Sequence, residues 1–144
     1  MKDNVFISNS EEETEKIASK IAKKIPLGTC IGLRGNLGAG KTVFARGFAR
    51  GLNIDDIVSS PTFTLVKEYL IDKNQWLYHL DLYRITDTNS ALVFGIDEYL
   101  SDTNAILLIE WPERIHELFM PGTIFIDIER IEHNTRKITI KSMS

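Results

Sequence analysis

Thr29-Cys30-Ile31-Gly32-Leu33-Arg34 runs without a break into Gly35-Asn36-Leu37-Gly38-Ala39-Gly40-Lys41-Thr42, and Val43-Phe44-Ala45-Arg46-Gly47-Phe48 follows. The first segment is rich in β-formers, as a strand buried on both faces is. Beyond the glycines, Phe44, Phe48 and Leu52 recur at helical spacing, so a helix is expected over about 41–52. The segment between them matches G-x-x-x-x-G-K-[ST], and a strand before it with a helix after it is the setting a phosphate-binding loop (P-loop) requires. Glycines let consecutive amides turn inward at a helix N-terminus, where they and the helix dipole hold phosphate oxygens. Gly35, Asn36, Leu37, Gly38, Ala39 and Gly40 are thus the expected cradle. Lys41, expected to face solvent, would reach the β- and γ-phosphates, and the Thr42 hydroxyl would ligate Mg²⁺. The competing reading is a glycine-rich turn without a ligand.

Upstream, Ser10-Glu11-Glu12-Glu13 has capping-box spacing and Ile17, Ile21 and Ile25 follow every four residues, which predicts a helix over 11–25 ended by Pro26. Downstream, the stretch from Ile54 to Thr62 lacks a period and reads as a loop. Phe63 to Leu70 and Trp76 to Leu82 read as an antiparallel hairpin around Asp72-Lys73-Asn74-Gln75. A weaker helix is expected over 89–100, a buried strand over 105–109, a helix from Pro112 to Phe119, and strands over 123–130 and 137–141. This order implies an α/β fold of the P-loop NTPase type, a mixed sheet with a parallel centre, antiparallel additions and flanking helices.

The chain has 144 residues, 43% of them hydrophobic and 26% charged, which suits one globular domain over 1–144. Its net charge of −3 lacks the basic excess of autonomous nucleic-acid binders, so unaided binding of RNA or DNA is not signalled. The longest apolar run, Ala105 to Ile109, falls far short of the roughly 20 residues a membrane span needs. The N-terminal Met1-Lys2-Asp3-Asn4-Val5-Phe6-Ile7 lacks the apolar core of a secretory signal, and a cytoplasmic location is expected. A lone cysteine, Cys30, forms no internal disulfide and reads as a small buried hydrophobe.

Hydrolysis needs an acid that holds the metal or its waters, and a polar group that orients the attacking water. Asp81 and Glu110 each end an apolar strand, where α/β sheets bind ligands, and either fits the Walker B acid. The alternative for each is a helix cap or an ion pair with Arg84 or Arg114. Thr62, after Ser60-Pro61, stands where a switch threonine reaches Mg²⁺ and the γ-phosphate, or else in an ordinary turn. His79 lacks a second His or Cys at ligand spacing and reads as a strand-face residue. Trp111 reads as core or interface.

Taken together, the Gly35 to Thr42 loop, Ser60-Pro61-Thr62-Phe63-Thr64-Leu65 with Glu68-Tyr69, His79-Leu80-Asp81-Leu82-Tyr83-Arg84 and Ile109-Glu110-Trp111-Pro112-Glu113 resemble the blocks of the TsaE (YjeE) family. These are small P-loop ATPases of bacterial tRNA threonylcarbamoyladenosine biosynthesis. The resemblance implies ATP and Mg²⁺ as cofactors, with Thr42 and Glu110 on the metal, Asp81 on the hydrolytic water or metal shell, and Thr62 in a switch loop. It implies Ser10, within the Ser8 to Thr14 segment, and Arg130 beside the adenine. It also implies a TsaD-like transferase and a TsaB-like scaffold as partners, with tRNA reached through that complex and no membrane.

Other classes compete. A small GTPase would carry an Asn-Lys-x-Asp or Thr-Lys-x-Asp segment after the P-loop, and none appears. A small-molecule kinase would want an arginine-rich lid, whereas the seven arginines are scattered. A nucleotide-dependent interaction module, in which ATP orders the loop and hydrolysis is incidental, stays open. No arginine occupies an evident finger position; Arg84 is the cis candidate, with a neighbouring carboxylate as its alternative partner.

Overall fold

Parallel pairing starts from the strand that feeds the glycine loop. In the computed structural model, which describes residues 4–36, 38–61 and 64–143, the chain runs β1 (Asn4–Ser8), α1 (Glu11–Ala22), β2 (Cys30–Arg34), α2 (Lys41–Gly51), β3 (Val66–Asp72) and β4 (Gln75–Asp81). It continues with α3 (Thr88–Phe94), α4 (Ile96–Leu100), β5 (Ala105–Glu110), a 3-10 helix (Pro112–Leu118), β6 (Ile124–Arg130) and β7 (Arg136–Ser142). β2 lies between β5 and β6, parallel to both, and β4 pairs parallel with the far side of β5. β3 adds antiparallel beyond β4, and β7 and β1 add antiparallel beyond β6. The sheet has seven strands in the order β1-β7-β6-β2-β5-β4-β3, the mixed arrangement the element order implied.

Alternation along the strands divides the core. Ile31, Leu33, Leu77, Ile106 and Leu108 turn to the face that also buries Phe44 and Phe48 of α2. Leu80, Leu107 and Ile109 turn to the other, with Ala91, Ile96 and Ile115. β5 is buried along its whole length, as a strand covered on both faces must be. Side chains of period two then put His79, Asp81 and Glu110 on the same face as Leu77 and Leu108, the α2 side.

Several boundaries differ from expectation for local reasons. α1 ends at Ala22, because the amides of Lys24 and Ile25 bond the carbonyls of Ile21 and Ala22 in 3-10 fashion before Pro26. Its buried stripe is Thr14, Ala18, Ile21 and Ala22, with Ile17 only partly covered. The expected helix over 89–100 is two, broken at Gly95, whose φ of +102° suits a residue without a Cβ. The helix after Pro112 is 3-10, with Ile115 at φ −134° turned into the core. β3 begins at Val66; the expected start at Phe63 lies outside the described residues, and the amides of Thr64 and Leu65 fold back onto the Pro61 carbonyl, with Leu65 left-handed. α2 closes as a Schellman motif: left-handed Asn53 bonds the carbonyl of Arg50, and Ile54 that of Ala49. Among the described residues, no helix is long and apolar enough to cross a membrane. Cys30 is half-buried, and burial pushes its thiol up to about 12.

Candidate functional site

Glu110, Asp81 and the glycine loop meet at the C-terminal edge of the parallel strands. Glu110 stands opposite Leu33 of β2 on one side and Asp81 of β4 on the other. One strand spacing, about 4.8 Å, therefore separates Glu110 from the P-loop strand, and two separate Asp81 from it. Both carboxylates are 3% exposed. Asp81 Oδ1 accepts the Tyr83 amide at 2.9 Å and Oδ2 accepts the Ser60 hydroxyl at 3.3 Å. The second bond ties the loop after α2 to the acid. Glu110 Oε2 lies 2.6 Å from His79 Nε2.

At the loop, Gly40 precedes α2 with φ +106°, and no side chain caps the first turn. The Ala39 amide closes back on the Asn36 carbonyl, while the Gly40 carbonyl takes the Phe44 amide and starts the helix. The first amides of α2 are left for an acceptor from outside. Lys41 does not face solvent as expected: it is 6% exposed, its Nζ has no hydrogen bond to a described residue, and it sits 4.2 Å from the centroid of the Trp111 ring. Burial lowers its pKa from the usual lysine value, against the pull of Glu110, Asp81 and Glu113. Trp111 is left-handed at φ 59°, which turns its ring toward Lys41 and Tyr83.

Lys41, Thr42, Gly38, Gly40, Asp81 and Glu110 line one cavity of about 370 Å³, which Glu11, Ser60, Trp111 and Arg136 also border. On the other side of the loop a cavity of about 610 Å³ is bounded by Gly35, Asn36, Gly38, Ala39 and Arg130, with the Arg34–Asp127 pair at its wall. Ser10 lines neither; its hydroxyl accepts the Glu13 amide and caps α1. Leu37 and Thr62 lie outside the described residues. Arg84 is exposed and borders neither cavity, whereas Arg136 borders the cavity of Lys41 and both acids.

The sequence profile described as "Threonylcarbamoyl adenosine biosynthesis protein TsaE" matches residues 8–138. The chain belongs to the TsaE family. It is 42% identical over 132 residues to the tRNA threonylcarbamoyladenosine biosynthesis protein TsaE of Bacillus subtilis (strain 168), covering 92% of this chain and 81% of that protein. The protein of the same name from Aquifex aeolicus (strain VF5) is 42% identical over 136 residues, covering 93% of this chain and 92% of its own. A crystal structure of Bacillus subtilis YdiB superposes with a TM-score of 0.83 at 36% identity, covering 99% of this chain and 87% of that one.

Within this TsaE-family site the donor set suits a nucleotide with a hard divalent cation. Two cations, Lys41 and Arg136, face three carboxylates, Glu11, Asp81 and Glu110, so a polyphosphate entering here gains from a metal to offset the negative charge. Among the described residues no three His, Cys, Asp or Glu gather into a group that could hold a metal ion.

His79, Ser60 and Arg136 join the site without a motif that marks them in the sequence. His79 shares a strand face with Asp81 two residues on, and that alternation was the available signal. Its partner Glu110 lies 31 residues away, and Arg136 lies 97 from Ala39. Neither contact has a local signature.

Proposed function

We propose that this chain binds ATP with Mg²⁺ and hydrolyses it as an accessory protein of the machinery that installs threonylcarbamoyl on adenosine of tRNA, acting in the cytoplasm with a TsaD-like transferase and a TsaB-like scaffold. The observation that carries this reading is the alignment of Glu110 and Asp81 at one level beside the uncapped start of α2, on one cavity with the buried Lys41 amine that lies over the Trp111 ring.

In this reading the free amides of the loop and Lys41 take the β- and γ-phosphates, and Thr42 with Glu110 holds the cation. Bound Mg²⁺ supplies neutralisation of charge on the transferred phosphoryl group. Asp81, one strand further out, orients the attacking water, while Ser60 links that carboxylate to the loop that carries Thr62. Phosphoryl transfer asks chiefly for positioning, and buried groups of fixed direction provide it. The acidic net charge fits a protein that meets tRNA through partners and not alone.

Steady-state ATP hydrolysis and multiple-turnover tRNA modification test it, each measured with the chain alone and with transferase and scaffold added. Slow hydrolysis alone that rises on mixing, together with repeated modification that needs this chain, is expected. Full hydrolysis without partners, and modification indifferent to this chain, would sink the proposal.

A further inference from the structure

Arg136 opens β7 and reaches across to the glycine loop. Its Nε donates to the Ala39 carbonyl at 2.8 Å, and Nη1 donates to the His133 carbonyl at 3.2 Å and the Thr135 carbonyl at 3.4 Å. Nη2 has no hydrogen bond to any described residue, and the side chain borders the cavity that holds Lys41, Thr42 and both strand-end acids.

The bond to Ala39 acts on a particular peptide. In a planar trans unit the carbonyl of one residue and the amide of the next point opposite ways. Drawing the Ala39 carbonyl toward Arg136 therefore turns the Gly40 amide away from it, and that amide has no hydrogen bond to a described residue. Gly40 is required by its backbone, with φ +106°, and not by space, since a Cβ there would make an ordinary contact 3.7 Å from Arg136 Nε. The guanidinium also ties the loop to the β6–β7 turn, whose Thr135 hydroxyl bonds Asn9 just before α1 at 3.2 Å.

A planar fork with spare donors, on one cavity with a buried amine that has no hydrogen bond to a described residue, is a phosphate-recognition pairing. We propose that Arg136 is a nucleotide-binding residue of this site: Nε braces the Ala39–Gly40 peptide with its amide toward the ligand, and the remaining guanidinium donors contact a phosphate oxygen of a nucleoside di- or triphosphate. This rests on the nucleotide reading above and adds a second cation to Lys41.

Titration calorimetry of the full chain with Mg·ATP and Mg·ADP, beside thermal unfolding without nucleotide, tests it on Arg136→Gln and Arg136→Lys. Gln keeps one donor for the Ala39 carbonyl without the charge, and Lys keeps the charge without the fork. Arg136→Gln is expected to weaken both nucleotides roughly 10- to 150-fold, the range for losing a charge-assisted hydrogen bond. Lys should recover part of that loss, with Tm of both variants within a few degrees of the parent. Folded Arg136→Gln protein that binds both nucleotides within about twofold of the parent would overturn the inference. So would equal losses in Gln and Lys that follow a fall in Tm, which would leave only a structural strut. Failure of the unaltered chain to bind either nucleotide would instead overturn the nucleotide reading, and this inference with it.

Discussion

His79 and Glu110 form a sealed pair: ring Nε2 and carboxylate Oε2 are 2.6 Å apart, with 1% and 4% of the side chains exposed. The other ring nitrogen, Nδ1, is buried without a hydrogen-bond partner among the described residues. Glu110 accepts no other hydrogen bond from a described residue, so the ring sets the direction in which this carboxylate faces the loop.

Removing the ring should therefore strand a buried carboxylate. His79→Leu is expected to cost about 1–3 kcal/mol of stability, the range for leaving a buried hydrogen-bonding group without its partner. Glu110→Gln added to His79→Leu should restore much of it. Urea denaturation of the two single variants and the double variant checks the coupling; losses that simply add would show that the two side chains act independently.

Lys41→Ala removes an amine with no hydrogen bond to a described residue, so the fold should survive while Mg·ATP binding falls roughly 10- to 150-fold. Equilibrium binding together with far-ultraviolet circular dichroism separates the two effects. Unchanged ATP affinity in this variant would remove the P-loop assignment.

The strand spacing separates the acids. Glu110→Ala, next to the P-loop strand, should make ATP binding insensitive to Mg²⁺, whereas Asp81→Ala should lower turnover while Mg·ATP still binds. ATP titrations with and without Mg²⁺, set beside single-turnover rates, decide it. The reverse pattern would exchange the two roles.

Cys30 gives a pH prediction of defined sign. Its thiol is pushed from 9.0 to about 12 by burial, so the folded chain keeps a proton that the unfolded chain releases between those values. Its contribution to stability is intact below about 9 and declines as pH rises above that. Iodoacetamide at pH 8 should alkylate the folded chain about a thousandfold more slowly than the chain in urea, as the thiolate fractions imply. Comparable rates would show Cys30 to be accessible.

Local chemistry in the sequence determined much of this protein. The glycine run with Lys41 and Thr42, the Ser10 cap, the strand ending in Glu110 and the parallel centre of the sheet all follow from patterns a few residues long, because caps, turns and strand alternation are short-range. Tertiary structure decided the remainder. The stop of α1 at Ala22, the break at Gly95 and the 3-10 turn after Pro112 depend on what each end packs against. The burial of Lys41 over Trp111, the choice of Arg136 over Arg84 beside the loop, and the His79–Glu110 bond each join residues from separate strands or loops. Sheet register brings such partners together, and no spacing within the chain encodes it.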